Sequence, residues 1–128
     1  ALSFPAGCLT IHERPLPYLD YMKLVSSHRV TYQMDRGTVP GQVAGDCILA
    51  RTICAGGSST IEKPVFKEFS DDGTLQQREG CNKIALMLQD DNAYADEVAK
   101  SQEIATRLLS FQSVARQLGD WQILKRGR

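Results

Sequence analysis

Residues 45–57, GDCILARTICAGG, place two cysteines seven positions apart in an aliphatic run that closes on paired glycines. Isoleucine, threonine and cysteine enrichment after Gly45 and before Gly56-Gly57 predicts a strand over 47–55. Alternation then sends Ile48, Ala50, Thr52 and Cys54 to one face, and Cys47, Leu49, Arg51 and Ile53 to the other. Both faces are largely apolar, which predicts a central strand. Arg51 is the misfit and must reach the sheet edge or meet a carboxylate.

The remaining cysteines are Cys8 and Cys81, so successive spacings are 39, 7 and 27 residues. No CxxC occurs, and His12 and His28 are the chain's two histidines, so neither a zinc pattern nor any other metal site is expected. An even cysteine count without metal spacing predicts disulfides in an oxidising compartment, secreted or periplasmic. The opening ALSFPAGC, uncharged until Glu13, reads like the start of a mature chain after leader removal. Seven residues span roughly 23 Å as a strand or roughly 10 Å as a helix. A disulfide needs α-carbons within about 7 Å. Cys47–Cys54 pairing is therefore excluded unless the segment folds back on itself. Two connectivities remain: Cys8–Cys47 with Cys54–Cys81, which is preferred, or Cys8–Cys54 with Cys47–Cys81.

The 128 residues suit a single domain spanning 1–128. Fifteen basic residues balance fifteen acidic ones, so no global field draws the chain to nucleic acid or an anionic membrane. No apolar run is long enough for a membrane span. Lys125, Arg126 and Arg128 form a basic cluster, read as a frayed tail over 125–128.

Residues 1–17 hold Pro5, Pro15 and Pro17 and predict an extended arm. Leu19, Met22 and Val25 recur at helical steps after Pro17, with Tyr18 and Tyr21 beside them, predicting a short helix. HRVTYQM alternates Val30, Tyr32 and Met34 against polar residues, a half-buried strand. A loop of about a dozen residues, 35–46, follows and is the candidate recognition loop. Phe66 and Phe69 with the Asp72-Gly73 turn signal predict a hairpin over 60–80, its Pro64-bearing strand at an edge. CNKIALML reads as a further strand, with a helix as the alternative. A long helix over 92–118 carries the stripe Ile104, Leu108, Phe111, Ala115 and Leu118, with a break near Ser110 to Ser113 and a stop at Gly119. Trp121, Ile123 and Leu124 then fold back as an apolar latch. The expected fold is α+β: an antiparallel sheet of three to five strands, a short N-terminal helix, and a long C-terminal helix packed on one face.

Chemical motifs are few. AGGSST, 55–60, has the glycines of a phosphate loop but lacks its lysine, so no nucleotide cofactor is expected. Ser59 and Glu62 have capping-box spacing, but Pro64 opposes the helix they would cap. No catalytic residue is assigned. A small secreted hydrolase with His12 or His28 as base is one alternative, since dispersed sites leave no local trace. The composition favours a small secreted, disulfide-stabilised protein that binds a partner macromolecule, an effector or toxin-like protein. A periplasmic inhibitor or immunity protein is the other alternative. Arg36, Val39 and Arg51 are the candidate binding hot spots. The C-terminal helix offers a surface for a homo-oligomer.

Overall fold

The structure, a computed structural model, describes residues 5–35, 41–71 and 77–126. In chain order these form α1 (Tyr18–Ser26), β1 (Val30–Gln33), α2 (Gln42–Ala50), β2 (Ile53–Gly56), α3 (Glu62–Val65), α4 (Gln77–Gln89), α5 (Asp91–Leu109) and α6 (Phe111–Arg126). The expected antiparallel sheet of three to five strands is overturned. Among the described residues there is one two-stranded sheet, and its strands run parallel, with Val30 opposite Ile53 and Gln33 opposite Gly56. Parallel partners require a crossover, and α2 supplies it, giving a βαβ unit within a mostly helical chain.

The correction lies in residues 45–57. Cys47 to Ala50 finish a helix rather than begin a strand. Gly45, which resembles a break in the sequence, sits inside α2. The helix stops where Arg51 takes a left-handed conformation, φ 56° and ψ 44°. Arg51 N–H donates to the Ile48 carbonyl at 3.2 Å, and Thr52 N–H donates to the Cys47 carbonyl at 2.9 Å. This is a Schellman closure, usually built on glycine. The chain then reverses, and Ile53 starts β2, all of whose residues are buried.

The expected hairpin over 60–80 is also replaced by helix. Ser59 Oγ accepts from the N–H groups of Ile61 and Glu62 at 3.2 and 3.3 Å, while Glu62 Oε2 accepts from Ser59 N–H at 2.9 Å. The capping box is therefore formed, and α3 is short enough to carry Pro64. Phe66 and Phe69 are buried beside β2, not on a strand of their own. Gly56 N–H donates to the Phe69 carbonyl at 2.8 Å, and Asp71 N–H to the Gly57 carbonyl at 2.7 Å, closing the far side of β2. Gly56 has φ 73°, and a Cβ there would stand 2.2 Å from the Gln33 carbonyl oxygen. The Asp72-Gly73 turn lies outside the described residues. CNKIALML belongs to α4.

Toward the C-terminus, Asp90 caps α5 by accepting from Ala93 N–H at 2.9 Å. Helix α5 ends at Ser110, whose backbone is extended and whose Oγ accepts from Ser113 N–H at 3.1 Å to start α6. Gly119 does not stop α6, so Trp121 continues the helix instead of folding back as a latch. Tyr94, Val98, Ser101 and Ala105 form the inward stripe of α5. Of the expected stripe, Ile104 packs against the core, while Leu108, Phe111 and Leu118 are exposed. No helix among the described residues is long and apolar enough to cross a membrane.

The core gathers Val25 of α1, Ala44 and Cys47 of α2, Ile53 and Cys54 of β2, and Phe66 beyond α3. Arg29, just before β1, ties in the α4–α5 junction. It donates to the Met87 carbonyl at 3.3 Å, pairs with Asp91, and lies 5.1 Å from the centroid of the Tyr94 ring.

The left-handed Arg51 gives a direct test. A non-glycine residue in this conformation costs roughly 1–2 kcal/mol. We expect Arg51→Gly to raise stability by about 0.5–1 kcal/mol, read as an upward shift of the urea midpoint at unchanged slope. A lower midpoint would contradict the Schellman closure.

Candidate functional site

Two surfaces and one buried layer hold the groups able to act. The first surface is a groove of 720 Å³ between α2 and α5, with Gly45, Leu49, Ile61, Ala105 and Leu109 among its walls. Gln102 Nε2 donates to the Ile48 carbonyl at 2.8 Å, bracing one helix against the other. Leu49 is 73% exposed and Leu109 44% exposed, so the groove carries an apolar rim. Its volume falls within the range of ligand-binding clefts. Beyond it, Phe111, Leu118 and Trp121 lie at i, i+7 and i+10 on α6 and are respectively 88%, 57% and 58% exposed.

Asp46 forms one wall of this groove and is buried. Its carboxylate accepts from the Tyr18 hydroxyl at 3.0 Å, and its charge acts on the Tyr21 phenol. Helix spacing on α1 thus places two phenols beside one acidic group of α2. Their rings lie 6.2 Å apart and tilted, so the tyrosine pair joins the two helices rather than forming a free stacking platform.

The second surface is a cleft of 630 Å³ between the N-terminal arm and α1, onto which Cys8, His12, Tyr21, His28 and Thr31 all open. It brings both histidines to one place with an exposed thiol, a grouping that spacing along the chain conceals. His28 Nδ1 lies 2.8 Å from the Leu24 carbonyl. A carbonyl only accepts, so Nδ1 carries a proton and Nε2 is the ring nitrogen left to serve as a base.

Behind the cleft wall lies the buried layer. Cys47 and Cys54 are both fully buried in one core cluster, and the Cys54 thiol donates to the Ala55 carbonyl at 4.0 Å. The neighbouring Cys54 thiol holds the Cys47 thiol below its ordinary range, against the opposing effect of burial. Thr52 Oγ1 is buried without a hydrogen-bond partner among the described residues. The neighbouring Cys47 thiol, then burial, pushes the Cys54 thiol up. Thr31 and Gln33, the polar face of β1, turn toward this layer, while Tyr32 and Met34 stay exposed. All four cysteines carry free thiols, Cys8 and Cys81 at the surface. Neither the Cys8–Cys47 nor the Cys54–Cys81 bridge is formed. The reversal at Arg51 meets the condition under which Cys47 and Cys54 can approach.

The glycine-rich loop after β2 is already filled. Fully buried Glu62 places its carboxylate against Ser59 N–H, with Oε1 aimed toward Gly57. A negative group in that position opposes phosphate binding. Among the described residues no group of three or more His, Cys, Asp and Glu is placed to hold a metal ion. Of the expected hot spots, Arg51 is exposed but serves the helix closure, and Arg36 and Val39 lie outside the described residues. The expected 35–46 loop ends by Gly41, because Gln42 begins α2. A central strand over 47–55 gives Leu49 no exposed position, which is why the groove is not legible in the sequence.

Comparison with protein families, with curated proteins and with solved structures finds no match to this chain.

Tyr21 offers a titration check. Burial first, then the Asp46 charge, pushes its phenol from 10.0 up to about 12. An unfolded chain releases that proton near 10. Tyr21 therefore leaves stability unchanged below pH 10 and lowers it as pH climbs from there toward about 12. Subtracting the phenolate titration of Tyr21→Phe from that of the parent should isolate a group ionising near pH 12. A difference curve centred at 10 would show that Tyr21 is neither partly buried nor beside Asp46.

Proposed function

We propose that the chain acts by binding a partner macromolecule, with the α2–α5 groove as the docking surface and α6 extending it. The setting we propose is outside the cytosol, as an effector or toxin-like protein or as a periplasmic inhibitor of the immunity type. The observation that carries the binding role is the exposed apolar series from Leu49 and Leu109 at the groove to Phe111, Leu118 and Trp121 on α6. Large exposed apolar side chains gathered in this way mark interaction surfaces. Aromatic anchors at such surfaces carry a disproportionate share of binding energy. Crosslinking capture from the native environment, run in parallel with Leu49→Arg and Trp121→Arg, tests it. We expect a partner held by the parent chain and weakened at least about 30-fold by substitution of a hot-spot residue. Identical captures would sink the groove as the binding surface. Light scattering on the same samples distinguishes a second copy of this chain from a foreign partner.

A second reading, a small hydrolase, is favoured by the cleft that gathers Cys8, His12 and His28. His28 would serve as base through Nε2, with Cys8 as the nucleophile in that cleft. A broad ester and amide panel should then show turnover that falls at least about 100-fold in His28→Ala. Full activity in both His12→Ala and His28→Ala would end this reading.

A further inference from the structure

We propose that Cys47 and Cys54 form a dithiol site that closes to an internal disulfide under a small peroxide and reopens under thiol reductant. The geometry carries this independently of the partner-binding reading. Cys47 ends the buried face of α2 and Cys54 is the second residue of β2, and the Schellman closure between them reverses the chain. The Thr52 N–H to Cys47 carbonyl bond fixes the turn, and it leaves both thiols fully buried in the same core cluster. Within the core neither sulfur meets an opposing crosslink, since all four cysteines carry free thiols. The arm cleft adjoins the pair. Tyr21 and Thr31 line it, and Thr31 stands opposite Cys54 in the sheet register. Hydrogen peroxide is neutral and water-sized, so it suits a site closed to larger oxidants.

The chemistry balances with peroxide as the oxidant. The Cys47 thiolate attacks one peroxide oxygen; an S–O bond forms, the O–O bond breaks, and the departing hydroxide takes up the proton that Cys47 released, leaving as water. The Cys54 sulfur then attacks the resulting sulfenic sulfur. An S–S bond forms, the S–O bond breaks, and the Cys54 proton leaves with the hydroxyl as a second water. Two thiols lose two electrons, and one peroxide becomes two waters.

The full chain bearing Cys8→Ser and Cys81→Ser keeps only the buried pair, and both substituted positions are exposed. It is treated with hydrogen peroxide, alkylated in denaturant, and cut with trypsin, which cleaves after Arg51 and so separates the two cysteines. We expect loss of both titratable thiols, a mass lower by two hydrogens, and a crosslinked Cys47–Cys54 peptide pair that dithiothreitol abolishes. Two alkylated thiols, a sulfinic or sulfonic Cys47 without a crosslink, or bridges only between molecules would each overturn the proposal. Circular dichroism before oxidation confirms that the variant is folded, so a negative result counts.

Discussion

The reversal at Arg51 is the constraint on which the rest of this structure depends. One residue held at positive φ, with two backbone hydrogen bonds across it, turns the chain from α2 into β2. Without that turn, 47–54 would run straight, and β2 could not lie parallel to β1. The sheet, the thiol pair and the burial of the glycine-rich loop all follow from the direction in which Ile53 leaves it. Glycine would adopt this conformation at less cost. The arginine is held there because Thr52, Cys47 and the strand beyond over-determine the geometry.

A second consequence is a polar layer inside a small core. Cys47, Cys54, Thr52, Ser59 and Glu62 are all buried, and Gln33, Thr52 and Glu62 each have a buried oxygen without a hydrogen bond among the described residues. An unmade buried hydrogen bond costs about 1–3 kcal/mol. Three such oxygens are a substantial burden against the roughly 5–15 kcal/mol by which domains are stable. Asp46 is arranged differently, with the Tyr18 phenol of α1 as its donor. The contrast separates a satisfied structural acid, which fastens α1 to α2, from a cluster whose groups are only partly occupied.

Local periodicity made α1 and β1 legible: Pro17 opens the first, and alternation near Val30 marks the second. The long C-terminal helical pattern was legible too, including a break at Ser110 that its own hydroxyl caps. What failed was punctuation. Gly45 and Gly119 lie within helices, where they lower propensity without ending the element. Arg51, which does end one, carries no sequence mark of a stop. In α3 the reciprocal Ser59–Glu62 cap outweighed Pro64 because one short helical turn loses little to a missing donor. The cleft joining Cys8, His12 and His28 was illegible for another reason: it depends on how the arm lies over α1, which no local pattern encodes.

Helix α2 connects the surface to the buried layer. Cys47 faces inward beside Ala44, while Gly45, Asp46 and Leu49 face the groove on the other side of the same two turns. Gly45 is informative here. A Cβ at that position would meet nothing within 4 Å, and alanine would favour the helix by roughly 1 kcal/mol. Packing among the described residues therefore gives no reason for glycine. A side chain entering the groove from outside would, because it needs the depth that a Cβ removes. The residue that weakens α2 is thus one that the proposed docking surface requires, and it lies two positions from the sulfur whose oxidation would stiffen the same helix.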